Sequence, residues 1–465
     1  MSQVKLFNTL TRSKETIEPL QAGHVRIYSC GPTVYNFVHV GNLRTFLWGD
    51  LLRRYLQWKK FKVTQVMNLT DVDDRIIRKA QEQGVDLDTF TEPFVQAFFE
   101  DIDTLRIRRA DIYPRATRHI PEMLDLVDKL SRSGHTYLTE GSTYYRIGTF
   151  PKYGKLSGVE VDRSSEFSRV DSDTDDKQDA RDFVLWKARK EGEQFWDSPL
   201  GAGRPGWHLE CSAMSMKYLG ETFDIHTGAV DLIFPHHENE IAQSEGATGK
   251  PFVKYWVHGE HLNVDERKMS KSLGNIHTLR ELLEGGYSPL QIRYALLSVP
   301  YRTKLNFSLQ SLDDARHALE RLESFVIRLG EAGNGDETGE QAGSPLSDAF
   351  LNEFENAMDD DLNTARALAA LFVLIRDGNV ALDAGNLAPA EARSILAVIR
   401  NVDGVLDILP QKDADLDGEI EQLIAARNEA RKKRDFGESD RLRDVLLSKG
   451  IILEDTAQGT RWRRA

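Results

Sequence analysis

Two short stretches carry residue types suited to handling phosphate. His-Val-Gly-Asn at 39–42 falls where a strand pattern gives way to a helix pattern, so backbone amides at a helix N-terminus face any anion entering the adjoining cleft. His39 can donate to phosphate oxygens, and Gly41 lets a base or ribose approach the backbone closely. Further on, KMSKSLGN (268–275) sets Lys268 and Lys271 three residues apart among small residues. Two mobile ammonium groups suit a phosphate whose negative charge grows and shifts during displacement. Alone, each stretch has an ordinary reading, a surface turn histidine or a solvated lysine loop; the two in this order around an α/β sheet weigh against it.

A second set of residues can bind metal. The chain has two cysteines, Cys30 and Cys211. In FPHHENE (234–240), Pro235 suits a first helical position, which would put His236 and Glu240 on one helix face, about 5–6 Å apart. Spacing alone does not choose between His236 and His237. GAGRPG (201–206) fits the dinucleotide pattern G-x-G-x-x-G, but EGEQFWDSP precedes it in place of a strand and Pro205 interrupts it, so it is set aside. The chain has no G-x-x-x-x-G-K-[ST] phosphate loop.

The elements around these residues are legible. HVRIYSC alternates as a strand does, Leu43, Phe46, Leu47, Leu51 and Tyr55 recur at helical spacing, and KVTQVMN reads as a second strand. A strand, helix and strand in this order predict a βαβ unit of a parallel sheet, whose ligands sit at the carboxyl ends of the strands. The polar run 161–182 reads as an exposed loop within an insertion, and 330–347, rich in Gly, Glu and Ser, as a linker. The remainder reads as helical, ending in a polar hairpin with Gly437 in its turn.

At 465 residues the chain has room for roughly three domains of about 150 residues. The formal charge of -13 argues against indiscriminate binding to nucleic acid, which needs clustered cations. The segment 421–465 nonetheless holds eleven Lys or Arg against eight Asp or Glu. No apolar run is long enough to span a bilayer and the opening residues lack a signal-peptide pattern, so a cytoplasmic location without membrane contact is expected.

With HVGN and KMSKS in place, the chain resembles a class I aminoacyl-tRNA synthetase and, within that class, is most similar to the cysteinyl-tRNA synthetases. The similarity rests on CGPTVYN, TDVDDRIIRKA, DFVLWK, GAGRPGWHLECSAM, FPHHENEIAQSEG, MDDDLNTARALAALF and the terminal GTRWRR. It implies a Rossmann-like parallel-sheet catalytic domain over 1–265 with an insertion at about 115–200, a connecting domain bearing KMSKS over 266–329, a helical bundle over 346–410 and a small anticodon-binding domain over 411–465. It implies one Zn2+ on Cys30, Cys211, His236 and Glu240, and Mg2+ accompanying ATP. It assigns catalysis to His39, Asn42, Lys268 and Lys271, ATP contacts to His39, Gly41, Asp231 and Lys271, and substrate contacts to Trp207, His208 and His226. It assigns tRNA contacts to Arg431, Asp440, Asp455 and Trp462. The expected partners are L-cysteine, ATP and tRNA(Cys), and the expected state is a monomer.

Two positions depart from the family pattern. Ala229 stands where a glycine is common, adding a methyl beside the nucleotide. Arg75 stands where lysine is common; it remains a cation for acceptor-end phosphates and cannot form a Schiff base. Two rival readings are a cysteine ligase of low-molecular-weight thiol biosynthesis, which lacks the terminal module, and a catalytically inactive paralogue that binds tRNA or a partner protein. The intact candidate ligands and both lysines oppose the second.

Overall fold

In the computed structural model, residues 3–159, 177–179, 181–269, 274–334, 343–410, 414–448, 451–456 and 459–464 are described. The expected loop at 161–182 falls largely outside these residues, as does the middle of the expected linker at 330–347, residues 335–342. What is described of the linker differs from the expectation, because the preceding helix continues to Ala332.

The centre is a four-stranded sheet of β1 (His24–Ser29), β2 (Lys62–Met67), β3 (Phe223–Ala229) and β4 (Val253–Gly259). Its order is β4-β3-β1-β2 and every pair is parallel. The predicted βαβ unit is present, with α1 (Val40–Trp58) between β1 and β2. From β1 the chain goes to one side to form β2 and later returns to form β3 on the other. That switch opens a crevice at the carboxyl ends of β1 and β3, where ligands of such sheets bind.

Helix α1 is buried along nearly its whole length, as expected of a helix covered by sheet on one side and helices on the other. Its buried Arg54 is neutralised by two carboxylates. Arg54 Nε meets Asp50 Oδ2 at 2.7 Å, and Arg54 Nη2 reaches Asp407 Oδ2 at 3.0 Å.

The chain between β2 and β3 carries a separate antiparallel sheet built from Thr136–Thr139, Ser142–Tyr145, Phe183–Ala188 and Gly203–Pro205. The rejected glycine motif therefore ends in a strand. A Cβ on Gly203 would lie 2.2 Å from Lys187 O, so this glycine serves close strand packing. After the insertion come α2 (Trp207–Leu219), which precedes β3, and α3 (Glu238–Thr248), which leads into β4.

Beyond the sheet, α4 (Pro289–Leu297) and α5 (Leu309–Ala332) lead to a bundle with α6 (Pro345–Asp359), α7 (Thr364–Asp383) and α8 (Pro389–Leu406). Their apolar stripes join the core beneath α1. The terminal module pairs α9 (Ala414–Lys432) with α10 (Phe436–Ser448). It closes with an antiparallel hairpin, Ile451–Thr456 with Gly459–Arg464. Gly437 lies in the first turn of α10 rather than between the helices; the turn holds Arg434 at φ 59°. Its small core of Ile420, Ile424, Leu446 and Ile451 is separate from the large ones. Among the described residues no helix is long and apolar enough to cross a membrane.

Candidate active site and metal centre

Cys30 follows β1 directly, and its amide donates to Thr227 O of β3 at 3.2 Å. Gly31 comes next because nothing larger fits: its amide donates to Asn68 Oδ1 at 2.9 Å, and a Cβ would fall 1.8 Å from Asn68 O. Cys211 comes from the first half of α2. His236 lies in an irregular turn over Ile233–His237, with Phe234 in a non-helical conformation. The regular helix α3 starts only at Glu238, so Pro235 does not open it as the sequence predicts.

These four residues nevertheless meet. Cys30 Sγ and Cys211 Sγ are 4.0 Å apart, and His236 Nε2 lies 3.1 Å from Glu240 Oε1. The donor atoms of Cys30, Cys211, His236 and Glu240 all fall within 4.8 Å of one another, and all four residues are buried. A second set, Cys30, His226, His237 and Glu240, satisfies the same criterion and shares two members with the first. The cleft distinguishes them: Cys30, Cys211 and His236 line it, whereas His226 and His237 lie behind.

The donor chemistry fits a metal of zinc type, which takes thiolate, imidazole and carboxylate ligands in a tetrahedral set. Glu240 Oε1 is buried and its nearest partner among the described residues is His236 Nε2 at 3.1 Å, an ion-pair contact rather than an aligned hydrogen bond, so its desolvation is incompletely compensated. A cation would relieve that cost. Charge is already arranged for it. Burial opposes ionisation of Glu240, but His226 and His236 outweigh it and hold the carboxyl down to about 2. The hydrogen bond with Cys30 brings the Cys211 thiol down to about 6, while burial pushes that of Cys30 well up. Burial also works against charge on His236, yet Cys211 and Glu240 raise it to about 10.

Four further histidines, His208, His226, His237 and His258, lie around these candidate ligands, and sequence reading missed them or assigned them elsewhere. His208 Nδ1 lies 2.8 Å from His236 Nδ1, and His226 Nε2 lies 3.0 Å from Glu240 Oε2. His208 and His226, expected to touch substrate, thus lie buried behind the ligand candidates and do not line the cleft. His237 Nε2 approaches Cys30 Sγ at 3.3 Å; its Nδ1 lies 2.8 Å from His258 Nε2, and His258 Nδ1 lies 2.7 Å from Thr9 Oγ1. Such outer partners orient ligand rings and fix their tautomers. The doubled histidine of FPHHENE is the signal that could have drawn attention to His237; nothing local marks Thr9. Trp207 does line the cleft, stacked on His236 at 4.3 Å between centroids.

The HVGN turn borders the same cleft. His39 is the N-cap of α1: its Nδ1 accepts the Asn42 amide at 3.2 Å, while Asn42 Oδ1 accepts the His39 amide at 3.3 Å. This reciprocal cap leaves Nε2 as the nitrogen that carries the hydrogen in the neutral ring. His39, Asn42 and Asp231 line the cleft. Ala229, at φ -85°, needs no glycine conformation. Arg75 lines the cleft with its guanidinium 4.4 Å above the Tyr35 ring, held by Asp73 at 2.8 Å.

The two motifs approach each other. A Cβ on Gly41 would lie 2.9 Å from Met269 Cε, so the methionine of KMSKS packs over the turn of HVGN. The Val40 amide also donates to His277 O at 2.9 Å. Lys268 belongs to a short strand paired with Leu262–Val264; its side chain and all of Lys271 lie outside the described residues. In the terminal module Arg431 lies in the last turn of α9 and Asp440 on α10, both exposed. Asp455 pairs with Thr460 and Trp462 with Leu453 across the terminal hairpin, and the side chains of Asp455 and Trp462 are outside the described residues.

Comparison with known proteins adds an independent line. Residues 16–317 match the family described as tRNA synthetases class I (C) catalytic domain, 353–410 match the DALR domain, and 413–463 match the cysteinyl-tRNA ligase anticodon binding domain. A cysteine–tRNA ligase of Solibacter usitatus (strain Ellin6076) is 48% identical over 467 residues, covering 99% of each chain. One from Symbiobacterium thermophilum (strain DSM 24528 / JCM 14929 / IAM 14863 / T) is 49% identical over 473 residues, covering 99% of this chain and 100% of the relative. Among solved structures, a Mycobacterium tuberculosis methionyl-tRNA synthetase bound by methionyl-adenylate is similar with a TM-score of 0.61 at 14% identity, covering 82% of this chain and 92% of the other. At that identity the likeness concerns the fold alone.

Proposed function

The chain belongs to the cysteinyl-tRNA synthetases of class I, and on that premise we propose how its residues divide the ligation of cysteine to tRNA(Cys). The observation that carries the proposal is the cleft itself, with Cys30, Cys211 and His236 on its floor and His39, Asn42 and Asp231 around its mouth. An amino acid whose side chain reaches the floor presents its carboxylate toward the phosphate end.

Cys30, Cys211, His236 and Glu240 would hold Zn2+, the two-thiolate set being preferred because three of its members face the cleft. Bound there, zinc supplies a soft Lewis acid that prefers a thiolate to a hydroxyl, a distinction size alone provides poorly, since a small apolar change is worth only about 1–3 kcal/mol. Trp207 covers the side chain. In activation the cysteine carboxylate attacks the α-phosphate of ATP-Mg and pyrophosphate leaves. His39 Nε2–H and the α1 amides stabilise the charge on the phosphate, Asn42 holds His39 in that tautomer and helps place the nucleotide, and Gly41 and Asp231 border it. Lys268 and Lys271 neutralise the departing negative charge. In transfer the terminal ribose hydroxyl of tRNA attacks the adenylate carbonyl and AMP leaves.

The proposal extends to the chain's division: 1–265 for chemistry with the insertion at about 115–200, 266–329 for the lysine loop, 346–410 as bundle and 411–465 for the anticodon. Arg431, Asp440, Asp455 and Trp462 are the proposed contacts there, since Arg and Asp read unpaired base edges and Trp stacks on a splayed base. The enzyme would act as a cytoplasmic monomer. The match of 413–463 to an anticodon-binding domain weighs against the thiol-biosynthesis ligase. Charging of tRNA(Cys) with radiolabelled cysteine tests the assignment: accumulation of cysteinyl-tRNA supports it, and adenylate formation without charging refutes it.

A further inference from the structure

Asp359, Asp360 and Asp361, where α6 ends, each reach a different part of the catalytic domain. Asp359 Oδ1 accepts the Tyr55 hydroxyl of α1 at 2.7 Å, and its Oδ2 meets Lys59 Nζ at 3.1 Å. Asp360 pairs with Lys14 at 2.6 Å. Asp361 Oδ1 accepts the Tyr301 hydroxyl at 2.5 Å and the Phe7 amide at 2.9 Å, while Oδ2 accepts from Arg302 Nη1 at 2.6 Å. Asp361 and Leu362 hold φ values of 65° and 52°. Left-handed conformations at two successive residues with a Cβ are unfavourable and persist only when their surroundings enforce them.

The Tyr301 end of this contact reaches α1 and the segment that leads to Lys268. The Tyr301 ring stacks on Trp48 of α1 at 4.8 Å between centroids, and Tyr301 O accepts the Glu260 amide at 2.8 Å. One turn earlier on α1, Arg44 donates to Glu260 O, His261 O, Pro300 O and Thr303 O at 3.0, 3.1, 3.2 and 2.7 Å. Arg44, Trp48, Tyr301 and Asp361 are all buried. Helix α1 opens on His39, and Glu260–His261 lead into the strands that end at Lys268. The loop gripped by the bundle is therefore the loop that ties those two segments together. The bundle's far end is fixed as well, through Asp407 to Arg54 of α1, just before the chain enters the terminal module.

We propose that Tyr301 and Asp361 are positioning residues that set the seat of the helical bundle, and with it the terminal module, against the catalytic cleft, so that tRNA held at both ends is presented correctly. Arg44 and the Tyr301 ring on Trp48 hold the loop to the catalytic segments without Asp361, so loss of the Tyr301 hydroxyl contact alone loosens the bundle and acts on the tRNA-dependent step. This rests on the cysteine–tRNA ligase assignment.

The test uses full-length Asp361→Asn and Tyr301→Phe; the second keeps the ring on Trp48 and removes only the hydroxyl, so it serves if the first fails to fold. Three rates are compared with the parent chain: cysteine-dependent ATP–pyrophosphate exchange without tRNA, charging of full tRNA(Cys), and charging of an acceptor-stem minihelix too short to reach the terminal module. The expected result is a fall of about tenfold in kcat/KM for full tRNA, carried by KM, with exchange and minihelix charging within about twofold. A parallel fall in all three, or no change in any, overturns the proposal. Absence of exchange in the parent chain would instead overturn the ligase assignment.

Discussion

Cys30 Sγ and Cys211 Sγ stand 4.0 Å apart in the floor of the cleft. A disulfide needs about 2.05 Å, whereas two thiolates at about 2.3 Å from one tetrahedral ion fall near 4 Å. We therefore expect one zinc per chain by elemental analysis, reduced below about a tenth in Cys211→Ser after dialysis against a chelator. Full retention of zinc by that variant would refute the ligand set.

Gly31→Ala tests how the backbone positions Cys30. The added methyl would fall 1.8 Å from Asn68 O, and backbone cannot yield as a side-chain tip can. A loss of about 2 kcal/mol or more in unfolding free energy is expected, accompanied by weakened metal retention. Wild-type stability in urea titration would show that the chain passes Asn68 differently.

Trp207 stacks on His236 but remains 40% exposed, so removing it should cost substrate binding more than folding. Trp207→Ala is expected to raise KM for cysteine about tenfold in pyrophosphate exchange, with little change in the melting midpoint. An unchanged KM would remove Trp207 from the pocket.

Asp101 predicts a pH dependence of stability. Burial lifts its carboxyl to about 6 against the pull of Arg280, and its Oδ2 accepts no hydrogen bond among the described residues. The folded pKa thus lies above the unfolded value of about 3.9, so the fold prefers the protonated acid. Its stabilising contribution is complete below about pH 4 and is lost as pH rises through about 6. Asp101→Asn, which stays neutral, should leave stability nearly unchanged at pH 4 and raise it by about 2 kcal/mol at pH 8. An equal effect at both pH values would contradict this.

Legibility in the sequence followed the range of the interactions. β1, α1 and β2 were readable because period-2 and period-3.6 patterns are local. The HVGN and KMSKS motifs were readable as words, but the packing of Met269 over Gly41 depends on chain folded back across more than two hundred residues. Family resemblance supplied Cys211 and His236 as partners of Cys30; spacing could not have joined them. The expectation that Pro235 opens a helix failed because the chain turns irregularly before α3 to bring His236 toward Cys211. Family resemblance puts His208 and His226 at the substrate; in the structure both are buried, beside His236 and Glu240 respectively. The terminal hairpin was missed because its short, charged strands lack a clear alternating apolar face.

The most direct test is ATP–pyrophosphate exchange on zinc-loaded protein with cysteine or serine as the amino acid. Exchange with cysteine is expected, with a kcat/KM for serine lower by more than about 10³-fold, beyond the 10–200-fold that shape alone affords. Comparable exchange with serine, or cysteine exchange that survives loss of zinc unchanged, would contradict it.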